Sequence, residues 1–219
     1  MSHYPKTELN TVKRLSKRAN YDHAVIFPII DATPICTVAF AVGSQPFIVP
    51  TIHARVDETI YLHGARGMRM VEHAIAGNPF CLNFTLLDGL VLARSAFHSS
   101  MNYRSVVVYG AGRLVETREE KLIAFEAVTE HVMAGRWQDA RPITDVEINA
   151  TAVVAIDIES ASAKVRTGDP IDDEEDYALP IWAGVVPVQQ QLLTPINDPR
   201  LIAGVELPDY IRKTVTSNE

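Results

Sequence analysis

Two arginines, Arg66 and Arg69, stand three positions apart where the sequence predicts the start of a helix. They follow the strand-like run TIYLHG, and apolar residues then recur at helical spacing between Met68 and Ala76. Side chains three apart on a helix share a face, and the first turn leaves backbone N–H groups unpaired, so both features can meet on one anion. The pattern predicts a phosphate site, and the alternative interpretation is a pair of solvated arginines on a surface helix.

Two further polar clusters could contact a ligand. The stretch from His98 to Ser105 precedes the apolar run VVVYG, with Ser105 at the start of the predicted strand, and its alternative interpretation is a turn followed by a strand. Lys164 and Arg166 alternate onto one face of another strand, and Trp182 stands in a later one. A flat indole beside cations suits a planar anionic ligand, whereas a core tryptophan beside two surface cations is the simpler alternative.

Strong catalytic and metal-binding motifs are absent from the sequence. It contains no GxSxG, HExxH, Walker loop or paired CxxC, and no side chain is identified as catalytic. The histidines between His53 and His98 are not at tight ligand spacings, so we expect no metal site. Cys36 and Cys81 stand among apolar neighbours, which predicts buried thiols.

Composition bounds the class of protein. The chain has 219 residues and 47% apolar content, enough for a substantial core, and its net charge of −7 argues against a general nucleic-acid binder. The longest apolar stretch, Ala24–Val42, is interrupted by Asp31 and Pro34, so no membrane helix is predicted. The first residues lack the apolar segment of a signal peptide, and we expect a cytoplasmic protein.

The apolar pattern predicts a mainly β fold. Three runs, ICTVAFAV, FIVPTIHAR and TIYLHG, indicate strands in a meander, and Pro50 within the second predicts an edge or a bulge that a ligand can approach. Further strands are predicted in FCLNFTLLDGLVLA, SVVVYGAGRLVE, VVAIDIESASAKVR and LPIWAGVVPV.

Helical spacing is weaker and more scattered. We expect helices over Thr7–Ala19, after His63-Gly64, over Arg118–Met133 and from Thr144, which is a plausible N-cap. The acidic run Asp169–Asp176 predicts a solvated loop. Together the elements favour one antiparallel β-barrel domain over residues 1–219 with appended helices, a helical segment within residues 1–20 and an irregular tail over 189–219.

Three separated segments, taken in order, resemble the pyridoxamine 5′-phosphate oxidase superfamily of FMN-binding split barrels. They are PFIVPTIHARVDETIYLHGARGMRM, DGLVLARSAFHSSMNYRSVVVYGAGRLVE, and AKVRTGDP with IWAG. The resemblance spans roughly Ala24 to Val188 and is closest to the flavin-nucleotide-binding, nitroimidazole-reductase-like branch. It implies an FMN cofactor and a homodimer.

The resemblance also implies which residues contact the cofactor. It places Val49, Pro50 and Thr51 at the flavin ring, and His63, Arg66 and Arg69 at the flavin phosphate. It also places Ser105 in contact with the flavin, and it implies that Trp182 supplies an indole from the second subunit.

The chain departs from the oxidase itself at four positions. Phe47 and Ile52 replace basic residues at the two ends of the first flavin strand, and Val188 and Leu192 replace two arginines beyond the Trp-x-Gly motif. The anionic substrate of a pyridoxamine phosphate oxidase would lose its partners, so vitamin B6 oxidation is disfavoured. The charge for a flavin phosphate would have to come from Arg66, Arg69, Lys164 or Arg166.

We therefore expect a homodimeric FMN-dependent oxidoreductase that acts on a small-molecule electron acceptor. One alternative is a carrier or sensor that binds flavin without turnover. Another is a haem-binding split barrel, in which His63 or His98 would be the axial ligand.

Overall fold

The computed structural model describes residues 2–216, which form an antiparallel sheet of ten strands with six helices around it. The strands are β1 (Ala19–Asn20), β2 (Cys36–Val42), β3 (Gln45–Thr51), β4 (Ala54–Val56), β5 (Thr59–Ala65), β6 (Pro79–Leu92), β7 (Ser100–Leu114), β8 (Thr151–Asp157), β9 (Ser160–Arg166) and β10 (Gly184–Pro187). The helices are α1 (His23–Ala32), α2 (Arg69–Ile75), α3 (Arg118–Val132), α4 (Arg136–Asp139), α5 (Asp145–Ala150) and α6 (Asp209–Thr216).

The strands run in the order β3-β2-β6-β7-β8-β5-β4, while β9 pairs with β7 and β1, and β10 pairs with β6. The long strand β7 changes partner, pairing with β9 up to Tyr109 and with β8 from Gly112. Between these points, a Cβ on Gly110 would lie 2.0 Å from the Asp157 carbonyl oxygen, so only glycine permits the close approach. The exchange of partners along β7, in a sheet surrounded by helices, confirms the predicted mainly β split barrel with appended helices.

The main core fills the inside of the barrel. The inward residues of β2, β6, β7 and β9 alternate with outward ones, and α1 and α2 close the interior. Its fully buried side chains include Val38, Leu82, Phe84, Val106, Ala163, Ile26, Ile30 and Val71. A smaller cluster joins Tyr61, Val153 and Ala155 to Ala124 on α3, so α3 packs on the opposite side of β5 and β8.

The predicted helix over Thr7–Ala19 is wrong. The segment forms a turn in which the backbone N–H of Thr7 donates to the Asn10 side chain, 2.8 Å away, and the Asn10 amide donates to the Ala161 carbonyl, 3.2 Å away. Leu15 has a φ of 56°, outside the helical region, and only Ser16–Arg18 forms a short 3-10 turn. Asparagine competes with helix formation by bonding the local backbone, and here that bonding prevails.

Helix α1 was not predicted. Its residues HAVIFPIIDA are apolar on nearly every side, since exposed Ala24 and Pro28 are apolar as well as buried Ile26, Ile29 and Ile30, so the sequence shows little alternation of faces. Pro28 lies inside it, a position that removes one backbone donor and hides the helical pattern further.

The predicted three-stranded meander is also wrong. The second run divides at Ile52 and His53, so that β3 pairs with β2 while β4 pairs with β5 at the other end of the strand order. The expectation that Pro50 lies on an edge is confirmed, since β3 ends the order and pairs with β2 alone along it.

The C-terminal third differs from expectation in four places. The predicted long strand turns at Ile158 and Glu159 into β8 and β9, and the last predicted strand is limited to β10. The acidic run is only partly solvated, because the carboxylate of Asp172 is buried against the loop that follows β6. The predicted irregular tail contains α6, and residues 217–219 lie outside the described residues.

Candidate functional site

The outer face of the sheet consists of the residues of β3, β2, β6, β7 and β9 that point away from the main core. One row crosses all five strands through Pro50, Thr37, Asn83, Val107 and Ser162, directly paired in the register. Four strand spacings make this row about 19 Å wide. Helices α1 and α2 pack on the opposite side, in the main core.

Two predicted site residues meet on this outer face. Ser105 pairs with Thr85 on one side and with Lys164 on the other. The Ser105 hydroxyl donates to the Lys164 carbonyl at 3.3 Å, and both side chains are half-buried. Ser105 and Lys164 are therefore direct neighbours on adjacent strands of the outer face.

Arg166 is engaged in holding its own chain. Its guanidinium donates to the Asn102 side chain and to the carbonyl oxygens of Gly168 and Asp169, both 3.2 Å away. The residue is only 7% exposed, and burial together with the charge of Arg18 lowers its pKa. This arrangement does not support the prediction that Arg166 contacts a cofactor.

Trp182 lies in the loop before β10, not in a strand as predicted. Its indole is 65% exposed and leans over Gly184, where an added Cβ would come within 2.9 Å of the ring. Gly184 pairs with Leu92 at the far end of β6, so the indole stands at the end of the β6–β7 hairpin. A large exposed aromatic ring of this kind is typical of contact surfaces.

The turn between β5 and α2 carries the two predicted phosphate-binding arginines. Helix α2 begins at Arg69, and Arg66 precedes it in the turn, so the two do not share a helix as predicted. Gly64 permits the turn, because the Met68 sulfur occupies the place where a Cβ on residue 64 would lie, at 2.5 Å. Both arginines are exposed on the same short segment.

Neither arginine pairs with a carboxylate among residues 2–216. The guanidinium of Arg69 lies 4.8 Å from the centre of the Phe47 ring on β3, which brings α2 to the edge strand. Arg66 lies near the buried Lys121 of α3, and its charge helps burial to lower the pKa of that lysine. Lys121 itself donates to the carbonyls of Ile148 and Thr151, each 2.9 Å away. Within residues 2–216, neither of the two arginines is therefore neutralised by an ion pair.

His63 on β5 has an unsatisfied nitrogen. Its Nδ1 is shielded from solvent and has no hydrogen-bond partner within the described chain. A buried polar atom of this kind costs free energy unless something bonds to it. His63 stands three residues before Arg66, so a ligand held by the turn could also reach the histidine.

Val49, Pro50 and Thr51 do not share one face. Val49 and Thr51 point inward opposite Val38 and Cys36, whereas Pro50 points outward. All three residues belong to β3, whose second backbone edge is unpaired. Along β3, every second residue points its backbone N–H and C=O away from β2. Pro46 and Pro50 are among these residues, because proline has no N–H to donate to β2. This edge consequently offers carbonyl acceptors with few competing donors.

Comparison with known proteins identifies the family. Residues 22–165, about two thirds of the chain, match the family model described as pyridoxamine 5′-phosphate oxidase. The chain belongs to this family. Among curated proteins no sequence matches it.

Solved structures of similar proteins cover nearly the whole chain. The flavocytochrome Anf3 from Azotobacter vinelandii is 40% identical, with a TM-score of 0.89 over 95% of this chain and 97% of that one. The FAD and haem binding protein from Mycobacterium smegmatis is 31% identical, with a TM-score of 0.86 over 90% and 97%. A proposed 5-nitroimidazole antibiotic resistance protein from Bacteroides thetaiotaomicron shares the fold at 24% identity, with a TM-score of 0.57 over 67% and 86%.

Residues 2–216 lack two kinds of feature. Within residues 2–216, no helix has both the length and the apolar character to cross a membrane. In the same part of the chain, no three metal-ligating side chains converge on one point.

The sequence reasoning missed the role of Phe47. It treated this residue only as the loss of a basic group, yet the ring stacks on Phe40 and supports the Arg69 guanidinium. The signal that could have identified it is the alternation of β3, which places Phe47 on the same side as Val49.

Proposed function

We propose that this protein binds a flavin nucleotide and, as a homodimer, transfers electrons from the flavin to a small-molecule acceptor. The observation that carries the proposal is the pair Arg66 and Arg69, two exposed arginines that have no carboxylate partner within residues 2–216, with Arg69 lying against the edge strand β3. The two similar proteins described as a flavocytochrome and as an FAD and haem binding protein support a flavin as the ligand.

The residues present suit a flavin in three respects. Arg66 and Arg69 would hold its phosphate through charge-assisted hydrogen bonds. The unsatisfied Nδ1 of His63 would gain a partner at the phosphate or the ring. The outward carbonyls of β3 would accept from the N–H group of the flavin pyrimidine, at an edge where Pro46 and Pro50 offer no donor.

A bound flavin supplies the redox chemistry, and the protein supplies position and electrostatics. Cations beside the phosphate fix one end of the cofactor, and the edge of β3 aligns its ring. Ser105 on β7 and Lys164 on β9 lie three and four strands from β3, so neither would contact a ring aligned along the β3 edge of the same copy. We propose no catalytic acid or base, since transfer to an electron acceptor requires only that the acceptor reach the flavin.

We propose that a second copy of the chain completes the site. The far half of the β6–β7 hairpin and the tail present large apolar side chains that are exposed in one copy, and such patches mark contact surfaces. They include Leu87, Leu90, Leu92, Met101, Trp182, Leu193, Ile196 and Ile202. The indole of Trp182 from a partner would then cover the flavin. A cytoplasmic location remains our expectation.

The absorption spectrum of the purified protein tests flavin binding. We expect a flavin spectrum in the wild type and at least a hundredfold weaker flavin binding in the Arg66→Ala/Arg69→Ala variant, because each charged hydrogen bond contributes about 1.5–3 kcal/mol. The Arg14→Ala variant removes another exposed arginine, outside the proposed contact surface, and should bind flavin normally. Unchanged occupancy in the first variant would refute the assignment.

A carrier or sensor would share this binding site and differ in turnover. Anaerobic addition of NADH or NADPH separates the two functions. Bleaching of the flavin absorbance, followed by its return when an acceptor is added, supports an oxidoreductase. Bound flavin that neither nucleotide reduces favours the carrier.

Haem is a second candidate ligand, because both of the more similar proteins are described as haem or cytochrome proteins. Two histidines of this chain are candidate axial ligands. His63 has the unsatisfied Nδ1. His98 lies in the same loop as the exposed Phe97, and its Nε2 is 3.3 Å from a carboxylate oxygen of Asp173. Reconstitution with haem should give a Soret band, and its loss in either His63→Ala or His98→Ala would identify the ligand.

A further inference from the structure

Lys121, in the first turn of α3, is a buried cation. The residue is only 5% exposed, and in the part of the chain that the structure describes no carboxylate oxygen lies within ion-pair distance of its ammonium group. Its hydrogen bonds go instead to the backbone carbonyls of Ile148 and Thr151, each 2.9 Å away. Burying a charge without a counter-charge costs free energy, so this lysine is unusual for a residue that only supports the fold.

The backbone bonds of Lys121 connect it to the turn that carries Arg66. Thr151 is the first residue of β8, and it pairs with Ala65, the last residue of β5. Arg66 follows Ala65 directly in the sequence. By holding the Thr151 carbonyl, the ammonium group therefore fixes the point at which the turn between β5 and α2 begins.

The charged groups around Lys121 come from three parts of the chain. Burial lowers the pKa of Lys121, and the charge of Arg66 in the turn lowers it further. A cavity of about 230 Å³ beside the lysine is also lined by Glu116 and Arg118 at the start of α3 and by Asp145 on α5. The Arg118 guanidinium pairs with Asp145 at 3.1 Å, and Glu116 is exposed to solvent. The nearby charge that acts on the lysine is thus the positive charge of Arg66.

We propose that Lys121 is a positioning residue for the phosphate of the flavin nucleotide, an inference that rests on the proposed flavin site. Its hydrogen bonds hold the start of the turn, and its charge attracts the phosphate that Arg66 binds. Attraction across a protein interior is screened less than attraction through water, so the buried ammonium acts without touching the ligand. The phosphate in turn offsets the repulsion between Lys121 and Arg66.

Binding of the nucleotide is then coupled to uptake of a proton. In the free protein, burial and the charge of Arg66 weaken the hold of Lys121 on its proton, whereas a bound phosphate strengthens it. The phosphate itself is fully ionised above about pH 7.5. Nucleotide affinity should therefore fall as the pH rises toward the ordinary pKa of lysine, about 10.4. Riboflavin has no phosphate, and its affinity should lack this dependence.

Titration of the apoprotein with FMN, FAD and riboflavin between about pH 7.5 and 9.5 tests the proposal, in a range above the titration of histidine. Lys121→Met removes the charge and the donors, and Lys121→Gln removes the charge but keeps an N–H donor. Lys13→Met is the matched control, because Lys13 is an exposed lysine in the segment before β1. Calorimetry of nucleotide binding in two buffers of different ionisation enthalpy counts the protons taken up. Thermal unfolding checks that each variant is folded.

At pH 7.5 we expect both Lys121 variants to bind the nucleotides about fivefold more weakly than the wild type, with riboflavin affinity within about twofold. Lys13→Met should behave as the wild type. Above about pH 8 the wild type should take up protons with the nucleotide, and the Lys121 variants should not.

The wild-type measurements need no variant, so they decide the proposal even if a substitution prevents folding. Nucleotide binding by the wild type without proton uptake would overturn the inference. Equal losses for the nucleotides and riboflavin in the Lys121 variants would show that this residue only supports the backbone, and would overturn it too. Both results leave flavin binding intact. If neither FMN nor FAD binds to the wild type, the proposed function itself fails.

Discussion

The arginines of the β6–β7 hairpin and those of the β5–α2 turn have opposite surroundings. In and around the hairpin, Arg94 pairs with Asp172, Arg104 pairs with Asp88 through two bonds of 2.9 and 2.7 Å, and Arg166 bonds to Asn102. In the turn, Arg66 and Arg69 have no carboxylate within ion-pair distance among residues 2–216. The same residue type thus serves the fold in one region and is available to a ligand in the other.

This difference teaches how a binding arginine is recognised. A guanidinium whose donors are all used by its own chain cannot bind an anion without breaking those bonds. An exposed guanidinium beside a strand edge can bind one at little cost. Spacing in the sequence does not distinguish the two cases, because the partners of Arg166 and Arg94 are set by the packing of loops.

The largest expected effect on the fold comes from removing Arg166. Arg166→Ala leaves the buried side-chain oxygen of Asn102 without this donor, whereas the Gly168 carbonyl keeps the Asn102 amide at 3.1 Å. An unsatisfied buried group costs about 1–3 kcal/mol, so we expect the free energy of unfolding to fall by about 2 kcal/mol, measured by urea denaturation. Flavin affinity of the folded protein should stay unchanged. If Arg166→Ala keeps its stability but loses flavin binding, then Arg166 is a ligand-binding residue and not a structural one.

A smaller effect is expected from Arg69→Lys. The charge remains, but the planar group that lies over Phe47 and can bind a phosphate through two bonds is lost. We expect flavin affinity to fall about fivefold, near 1 kcal/mol, with unchanged stability. Titration of the apoprotein with flavin measures it. If lysine binds flavin as well as arginine does, the site needs only charge, and the proposed role of the guanidinium plane is wrong.

The smallest effect at neutral pH is expected from Asp172→Asn. Burial by itself raises the pKa of Asp172, but bonds from the backbone N–H groups of Arg94 and Ser95 and from the Arg94 guanidinium outweigh it and lower the pKa. The folded state therefore binds this proton more weakly than the unfolded state. The resulting stability is present above the ordinary pKa of aspartate, near 4, and is lost as the pH falls below it.

Urea denaturation at a series of pH values between about 6 and 3 measures this contribution. The wild type should lose stability more steeply than Asp172→Asn in the acid limb. Parallel pH profiles for the two proteins would mean that the pairing with Arg94 adds nothing to the fold.

Much of the fold could be predicted where a long segment has one buried face. Helix α3 is expected over Arg118–Met133 and is found at Arg118–Val132, and Thr144 is the N-cap of α5 as expected. The structure adds a capping box between Thr144 and Glu147. These elements depend on local spacing and local hydrogen bonds. Helix α1 carries apolar residues on its exposed face as well as on its buried face, for example at Ala24 and Pro28, so the sequence shows little contrast between the two faces. The segment before α1 depends on bonds from Asn10 to distant Ala161, which the local sequence does not indicate.

The candidate site could be predicted only in part, for a similar reason. The turn with Arg66 and Arg69 is local, and the sequence indicated it. The contact between the Phe47 ring and the Arg69 guanidinium joins an edge strand to a helix that comes later in the chain. The hydrogen bonds of Arg166 depend on the loop that follows it and folds back onto it. Such pairings arise from tertiary packing, which one sequence does not display.

Edge strand β3 has a consequence for how the protein behaves at high concentration. An open strand edge normally recruits strands from other molecules, which leads to aggregation. With prolines at 46 and 50, two of the three outward positions between residues 46 and 50 carry no N–H, so an incoming strand could not complete a ladder of hydrogen bonds there. The same backbone that is left open to a small ligand is thereby closed to fibre growth.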